Sequence, residues 1–463
     1  MKLSEIDATL REIRVSPVKT LGQNFLHDRN LARWIVEKAN LSRDDYVVEI
    51  GPGLGALTEF ILESGARVLA IEKDQRLVEF LRKRFAGAAL EIIHGDALQF
   101  DVRRLYAEPR VKLLGNLPYY IASQLLLKFT KYPSPISLWL LMLQKEMARR
   151  ISASPGTSDY GALSLVVQLK YRVEFLRSVP ATVFLPEPDV DSAFVRITPR
   201  ADAELPPHDS ETFFRVVRAG FSQRRKQLRN LLREEIPEWE NAAESIGFGP
   251  RARAEELTLE QWIALSTLAR SSAGNAVVSE GSERFQVVNE NDEVIGEATR
   301  GEVHGNNLRH RAVHLFIFNR EGELFLQKRS RWKDRHPLLW DSSAAGHVEA
   351  GEDYDETAVR ELQEELGVSA KLTRIVKLPC SERTGWEFIW LYRGENEGPF
   401  TLATTEIEHG EFFPTDIVER WVKARPQEFA PGFLDCWNAF QGTAVYKPPT
   451  LQIEEGGLES ALP

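Results

Sequence analysis

From about residue 20 to 195, short apolar runs alternate with amphipathic stretches. The runs at 46–50, 67–71, 90–94, 111–114 and 137–143 have the length and residue types of buried strands, and helical periodicity separates several of them. That rhythm predicts a doubly wound α/β sheet. A break containing prolines and acids follows at 199–209. Residues 210–271 then read as helices, with 211–232 strongly amphipathic and basic. Small residues dominate 271–282, which reads as a linker. Beyond it, strand-like runs at 312–319 and 324–328 precede a marked helix at 354–366. The last stretch, 441–463 and above all beyond Tyr446, loses its periodicity and predicts a disordered tail. The expected divisions are 1–199, 200–270, 271–282, 283–440 and 441–463.

The 463 residues suit about three domains or subdomains, and a hydrophobic fraction of 43% is enough for sizeable cores. Two cysteines, Cys380 and Cys436, give no disulfide framework and point to a reducing compartment. Residues 1–17 mix charges and lack the apolar core of a signal peptide. The longest strong apolar run, 136–143, is far too short to span a bilayer. A cytoplasmic protein without a membrane partner is expected. The net charge of −10 conceals an asymmetry: residues 1–272 hold 38 Lys+Arg against 35 Asp+Glu, and residues 273–463 hold 20 against 33. Overall acidity therefore does not argue against nucleic-acid binding by the first part.

The run at 47–50 leads directly into Gly51-Pro52-Gly53-Leu54-Gly55 and then a helical pattern. Such glycines permit a tight strand-to-helix turn and close backbone approach to a ligand. Glu72, after the second strand, is placed to accept hydrogen bonds from both hydroxyls of a ribose. Asp96, after the third, is placed to accept from an adenine amine. Each acid taken singly also fits a solvated loop. The turn lacks the Gly-x-Gly-x-x-Gly spacing of dinucleotide sites, so S-adenosylmethionine fits better than a nicotinamide dinucleotide. Asn116-Leu117-Pro118-Tyr119 follows the fourth strand. The lone pair of an exocyclic base amine is delocalised into its ring. The Asn116 side-chain carbonyl and the Leu117 backbone carbonyl could draw on the amine protons and localise that lone pair, with Pro118 fixing the backbone and Tyr119 stacking on the base. Alone, these four residues also fit a plain proline turn.

Taken together, 21–26, 49–58, Glu72, Asp96, 116–119, 184–193 and 221–226 resemble the ribosomal RNA small-subunit adenine N6-dimethyltransferase family, in the family's order over about residues 15–270. The resemblance implies a Rossmann-like methyltransferase sheet with a small helical subdomain. It also implies dimethylation of N6 on two adjacent adenosines, in a hairpin near the 3′ end of 16S small-subunit rRNA, as part of small-subunit biogenesis. Asn24, Leu26, Gly51, Glu72, Asp96 and Asn116 fall on its S-adenosylmethionine-binding positions, with Gly53 in the same turn. Phe184 is expected to stack on the face of the adenine opposite Tyr119. No metal or covalent nucleophile is required, since the sulfonium methyl is already electrophilic. Seven bases with no intervening acid, Arg215, Arg218, Arg224, Arg225, Lys226, Arg229 and Arg233, suggest phosphate contacts with rRNA or a pre-small-subunit particle.

A second motif runs from Gly346 through Glu352 to Arg360-Glu361-Leu362-Gln363-Glu364-Glu365-Leu366-Gly367. Glu361, Glu364 and Glu365 share one helix face and would repel each other unless Mg²⁺ or Mn²⁺ lay between them. Arg360 is expected to pair with Glu352 and fix the loop that begins at Gly346. The spacing agrees at every defined position with the Nudix box. The resemblance implies an α/β/α sandwich with a mixed sheet and hydrolysis of a small-molecule diphosphate. Residues 312–319 and 339–347 are more closely similar to the branch related to isopentenyl-diphosphate isomerase, in which His304, His310 and His347 would form a second metal cluster. Ala345 stands where that isomerase needs a cysteine, which argues against isomerisation. The reading is thus a bifunctional enzyme. Its rivals are a ribosome-assembly checkpoint factor with secondary methylation and a non-catalytic Nudix module, and a large-subunit rRNA methyltransferase of the antibiotic-resistance type. The segments 184–193 and 221–226 favour the small-subunit type.

Overall fold

The computed structural model describes residues 3–17, 23–117, 119–130, 133–201, 204–223, 225–272 and 283–446. Its chain divides into two compact units, Met1–Val277 and Val278–Pro463.

The first unit is built on a seven-stranded sheet. The strand order is Leu90–His94, Arg67–Glu72, Tyr46–Ile50, Val111–Asn116, Ile136–Gln144, Ser192–Pro199 and Tyr171–Val179. The first five strands are parallel, Ser192–Pro199 runs against them, and Tyr171–Val179 pairs antiparallel with Ser192–Pro199. Strands covered on both faces need near-continuous apolar sequence, which Ile136–Gln144 supplies: seven of its nine residues are fully buried. Parallel pairing requires crossovers, and these bring the carboxyl ends of the central strands to one edge.

The second half of this unit departs from the expected layout. The amphipathic stretch 211–232 is not one helix. Ser210–Gly220 ends against Trp262, where a Cβ on Gly220 would lie 2.4 Å from the indole, and a short helix, Leu228–Leu231, follows a turn. The helical core also draws on Ala153, Tyr160, Leu165 and Leu169, so it is not contiguous with 200–270. The last helix, Leu259–Ser272, runs two residues into the predicted linker. Residues 273–282 lie outside the described residues.

The second unit holds a mixed nine-stranded sheet. His310–Phe318 is central. It pairs antiparallel with Ala344–His347 and parallel with Glu387–Glu395. Helix Tyr354–Leu366 packs on it. Asp353 caps this helix, with Glu356 completing a capping box, and Gly367 ends it in the left-handed region at φ 69°. The expected tail starts too early. Helix Pro431–Gln441 and the turn after it are ordered, with the Tyr446 hydroxyl 3.1 Å from Glu419 Oε2. Residues 447–463 lie outside the described residues. No helix among the described residues is long and apolar enough to cross a membrane.

Candidate functional sites

The glycine turn closes on backbone hydrogen bonds, Gly51 N to Ile71 O at 3.0 Å and Gly55 N to Pro52 O at 2.8 Å. Gly51 and Gly53 take φ values of +66° and +59°, which side-chain-bearing residues rarely adopt. Beneath the turn, Thr58 Oγ1 donates to buried Glu49 at 2.6 Å, and burial pushes the Glu49 carboxyl up to about 7. Glu72 accepts three backbone N–H bonds, from Gly53 (3.1 Å), Lys73 (2.9 Å) and Asp74 (3.0 Å). Burial raises its carboxyl pKa, and those donors oppose the rise. Asp96 accepts from Lys73 Nζ at 2.8 Å and from Leu98 N at 2.9 Å. The lysine bond is the main reason that its carboxyl titrates below the usual range. Asn116 Nδ2 donates to Asn24 O at 3.0 Å, which fixes the amide and leaves Oδ1 as its acceptor.

These residues line one cleft at the carboxyl edge of the sheet: Asn24, Gly51, Gly53, Glu72, Asp96 and Asn116, with Phe25, Ile50, Ile71, Lys73 and Ile121. The apolar members carry no pattern that marks them in sequence. Lys73 is the notable omission from the sequence reading, and its position directly after Glu72 could have suggested it.

In the second unit, the strand carrying Gly346 runs against the helix carrying the acids. A Cβ on Gly346 would lie 1.9 Å from Glu361 Oε1, so any side chain there would push the Glu361 carboxylate out of its place. Arg360 binds both Glu352 oxygens (2.9 and 3.0 Å), Glu361 (2.8 Å), Glu364 (3.0 Å) and the His347 carbonyl (3.2 Å). Glu365 accepts from Gln327 Nε2 at 3.0 Å and Ala345 N at 3.2 Å. Burial pushes the Glu361 carboxyl up to about 7 and the Glu365 carboxyl up to about 8, with the charge of Glu364 adding to the first rise and that of Glu361 to the second. Glu364 is largely exposed.

Two family models match the segments that carry these residues. The ribosomal RNA adenine dimethylase family model matches residues 17–270, and the NUDIX domain model matches 308–433. The chain belongs to the ribosomal RNA adenine dimethylase family. It is 41% identical over 261 residues to ribosomal RNA small subunit methyltransferase A of Geobacillus thermodenitrificans, spanning 54% of this chain and 89% of that protein. It is also 41% identical over 272 residues to the protein of the same name from Halothermothrix orenii, spanning 56% and 89%. Among solved structures, the 23S rRNA methyltransferase ErmE is 29% identical over 53% of this chain and 100% of its own, with a TM-score of 0.46. DR0079 from Deinococcus radiodurans is 28% identical over 34% and 98%, with a TM-score of 0.31.

Not every expected site residue of the dimethylase unit reaches its cleft. Leu26 is 7% exposed and packs in the core, so any contact with a ligand falls to its backbone. Phe184 pairs with Leu26 across a two-residue bridge and is 2% exposed. It offers no open face to a base, and the expectation that it stacks on the adenine is corrected: as placed, it is a core aromatic. The Leu117 side chain is equally buried, while its N–H donates to Met142 O at 3.3 Å. Tyr119 begins the helix Tyr119–Phe129. Pro118, Arg224 and the Tyr119 side chain lie outside what the structure describes. Arg218, Arg225, Lys226 and Arg229 are exposed around the helix break. Two of the seven bases, though exposed, also face acids: Arg215 pairs with Glu235, and Arg229 lies 3.9 Å from Glu240.

In the Nudix domain, the three histidines converge. Strand pairing sets His310 opposite Glu387 and His347 opposite Ala312, and the short helix Arg300–Gly305 supplies His304. One nitrogen from each ring lies within 4.8 Å of the other two, the one such group of three among the described residues. His310 Nδ1 donates to Leu308 O at 2.8 Å, and its buried Nε2 faces Glu387 Oε1 at 3.5 Å without a hydrogen bond. His347 Nε2 donates to Glu387 at 3.2 Å. Burial and the neighbouring charges hold His304 down to about 4, and burial does the same for His347, so both rings are neutral at physiological pH. Glu387 was not visible as a site residue in sequence. It comes from a distant strand, and only the parallel register brings it here.

Proposed function

We propose that the dimethylase unit transfers methyl groups from S-adenosylmethionine to N6 of two adjacent adenosines in the hairpin near the 3′ end of small-subunit rRNA, during small-subunit biogenesis in the cytoplasm. The observation that carries this reading is the Asn116 amide, held by the Asn24 carbonyl so that Oδ1 serves as acceptor at the rim of the cleft. The donor set fits the cofactor: Glu72 for ribose hydroxyls, Asp96 for the adenine amine, and glycines that let a ligand approach the backbone. The cofactor supplies an electrophilic methyl when bound. The chain does the rest. Asn116 and the Leu117 carbonyl accept from the amine and localise its lone pair. The walls at Phe25 and Ile121 exclude water and hold the reactants in line. The exposed bases around residues 218–229 take the phosphates. Methyl transfer from labelled S-adenosylmethionine to unmethylated small-subunit particles tests this. Incorporation only into free adenosine or large-subunit RNA would overturn it.

The Nudix domain is read as a hydrolase of a diphosphate-containing small molecule. The oxygen-only donors Glu361, Glu364 and Glu365 suit a hard cation, Mg²⁺ or Mn²⁺. His304, His310, His347 and Glu387 are read as a separate, nitrogen-rich site for a transition metal, because imidazoles prefer such ions. Release of phosphate from nucleoside diphosphates, lost on Glu364→Gln, tests the hydrolase reading.

A further inference from the structure

The outermost histidine of the cluster is not at rest. Arg335, exposed on the turn after strand Leu324–Arg329, has its Nη1 3.2 Å from His304 Nδ1. A guanidinium can only donate, so His304 Nδ1 is the acceptor and the ring proton sits on Nε2. That Nε2 is buried and has no hydrogen-bond partner. We propose that Arg335 and a divalent transition-metal ion compete for His304. The inference rests on the reading of the histidine cluster as a metal site.

The competition does not depend on which nitrogen binds the metal. If the metal takes Nδ1, it needs the lone pair that Arg335 occupies. If it takes Nε2, the ring proton must move to Nδ1, and Arg335 again has to leave. His310 has no such conflict. Its Nδ1 donates to a carbonyl, and its Nε2 faces only the carboxylate of Glu387, itself a potential ligand. One ring of the cluster is thus set for ligation and another is held off by a removable side chain.

Release of Arg335 has a consequence for the neighbouring site. The same turn carries Asp334, paired with Arg300 at 3.2 Å, and Lys333, whose charge lowers the carboxyl pKa values of Glu361 and Glu365. Metal loading at the histidines therefore removes one of several ties on this turn, leaving Asp334 on Arg300, Lys333 on Glu406 and the Arg335 carbonyl on Arg329.

Titration of the full chain with Co²⁺, followed by the visible absorption of nitrogen-ligated cobalt, tests the competition. Arg335→Met should tighten Co²⁺ binding by about tenfold, the scale on which outer-shell partners tune metal sites. In a His304→Ala background, Arg335→Met should change nothing. Equal or weaker binding by Arg335→Met overturns the competition. No nitrogen-ligated cobalt signal in any variant overturns the metal-site reading and this inference with it.

Discussion

The dimethylase cleft and the Nudix carboxylates are both built around acids, and they hold those acids in opposite ways. Glu72 is gripped by three backbone N–H groups, which cannot leave without unfolding the turn. Glu361 and Glu364 are gripped by one side chain, Arg360, which can swing away. The first site is ready for its ligand. The second is latched, with an arginine where a divalent cation would neutralise the same charges. Backbone donors suit a fixed pocket for a large cofactor. A side-chain latch suits a site that must exchange ions and diphosphates.

The largest effects should come from groups that nothing else can replace. Asn116→Ala removes the acceptor held by Asn24 and should lower kcat for methyl transfer by about 10²–10³-fold, measured on unmethylated particles. Retained activity would mean that the cleft is not organised around that amide. Gly346→Ala drives a methyl group into Glu361 and should cut phosphate release by about a hundredfold while methyl transfer is unchanged. Equal loss in both assays would show that the two sites are not independent.

The latch also predicts a pH dependence. Glu361 and Glu365 titrate near 7 and 8 in the fold, against an ordinary 4.5. A carboxyl raised on folding contributes stability below its ordinary pKa and loses it as pH rises through the folded value. Without metal, the Nudix domain should therefore lose thermal stability between about pH 5 and 8. Mg²⁺ should restore more at pH 8 than at pH 6, read by calorimetry. A flat profile would mean that burial does not disfavour the ionised form of these carboxyls.

A smaller effect is expected at the basic surface. Reversing Arg224 and Arg225 to Glu should weaken particle binding by about tenfold at moderate salt, with cofactor affinity intact. The smallest is at Glu49, whose carboxyl titrates near 7. Glu49→Gln keeps an acceptor for Thr58, so stability should change by less than about 1 kcal/mol below pH 7 and improve above it. A large loss would mean that the ionised form supports the turn.

What could be read from sequence depended on whether local spacing carries the geometry. Gly51–Gly55 and the acids at 361, 364 and 365 are sites whose shape follows from a turn and a helix face, and both are visible before folding. The strand ends after Glu72 and Asp96 follow from the sheet topology, which the apolar rhythm predicts. Phe184 is different. Its motif position suggests stacking, yet the pairing of Phe25–Leu26 with Phe184–Leu185 buries it, and no local pattern reports that bridge. The close packing of Gly220 on Trp262, where the helix ends, is equally hidden, because it involves a residue far along the chain. Glu387 and Arg335 join the histidines only through register and a turn.

A crystal structure of the full chain with S-adenosylmethionine and Mg²⁺ tests the contrast between the two sites most directly. The prediction is that Glu72 keeps its bonds to Gly53, Lys73 and Asp74, while Arg360 leaves Glu361 and Glu364 to the metal and stays on Glu352. Arg360 still bound to both acids with the metal elsewhere, or a remodelled glycine turn around the cofactor, would contradict it.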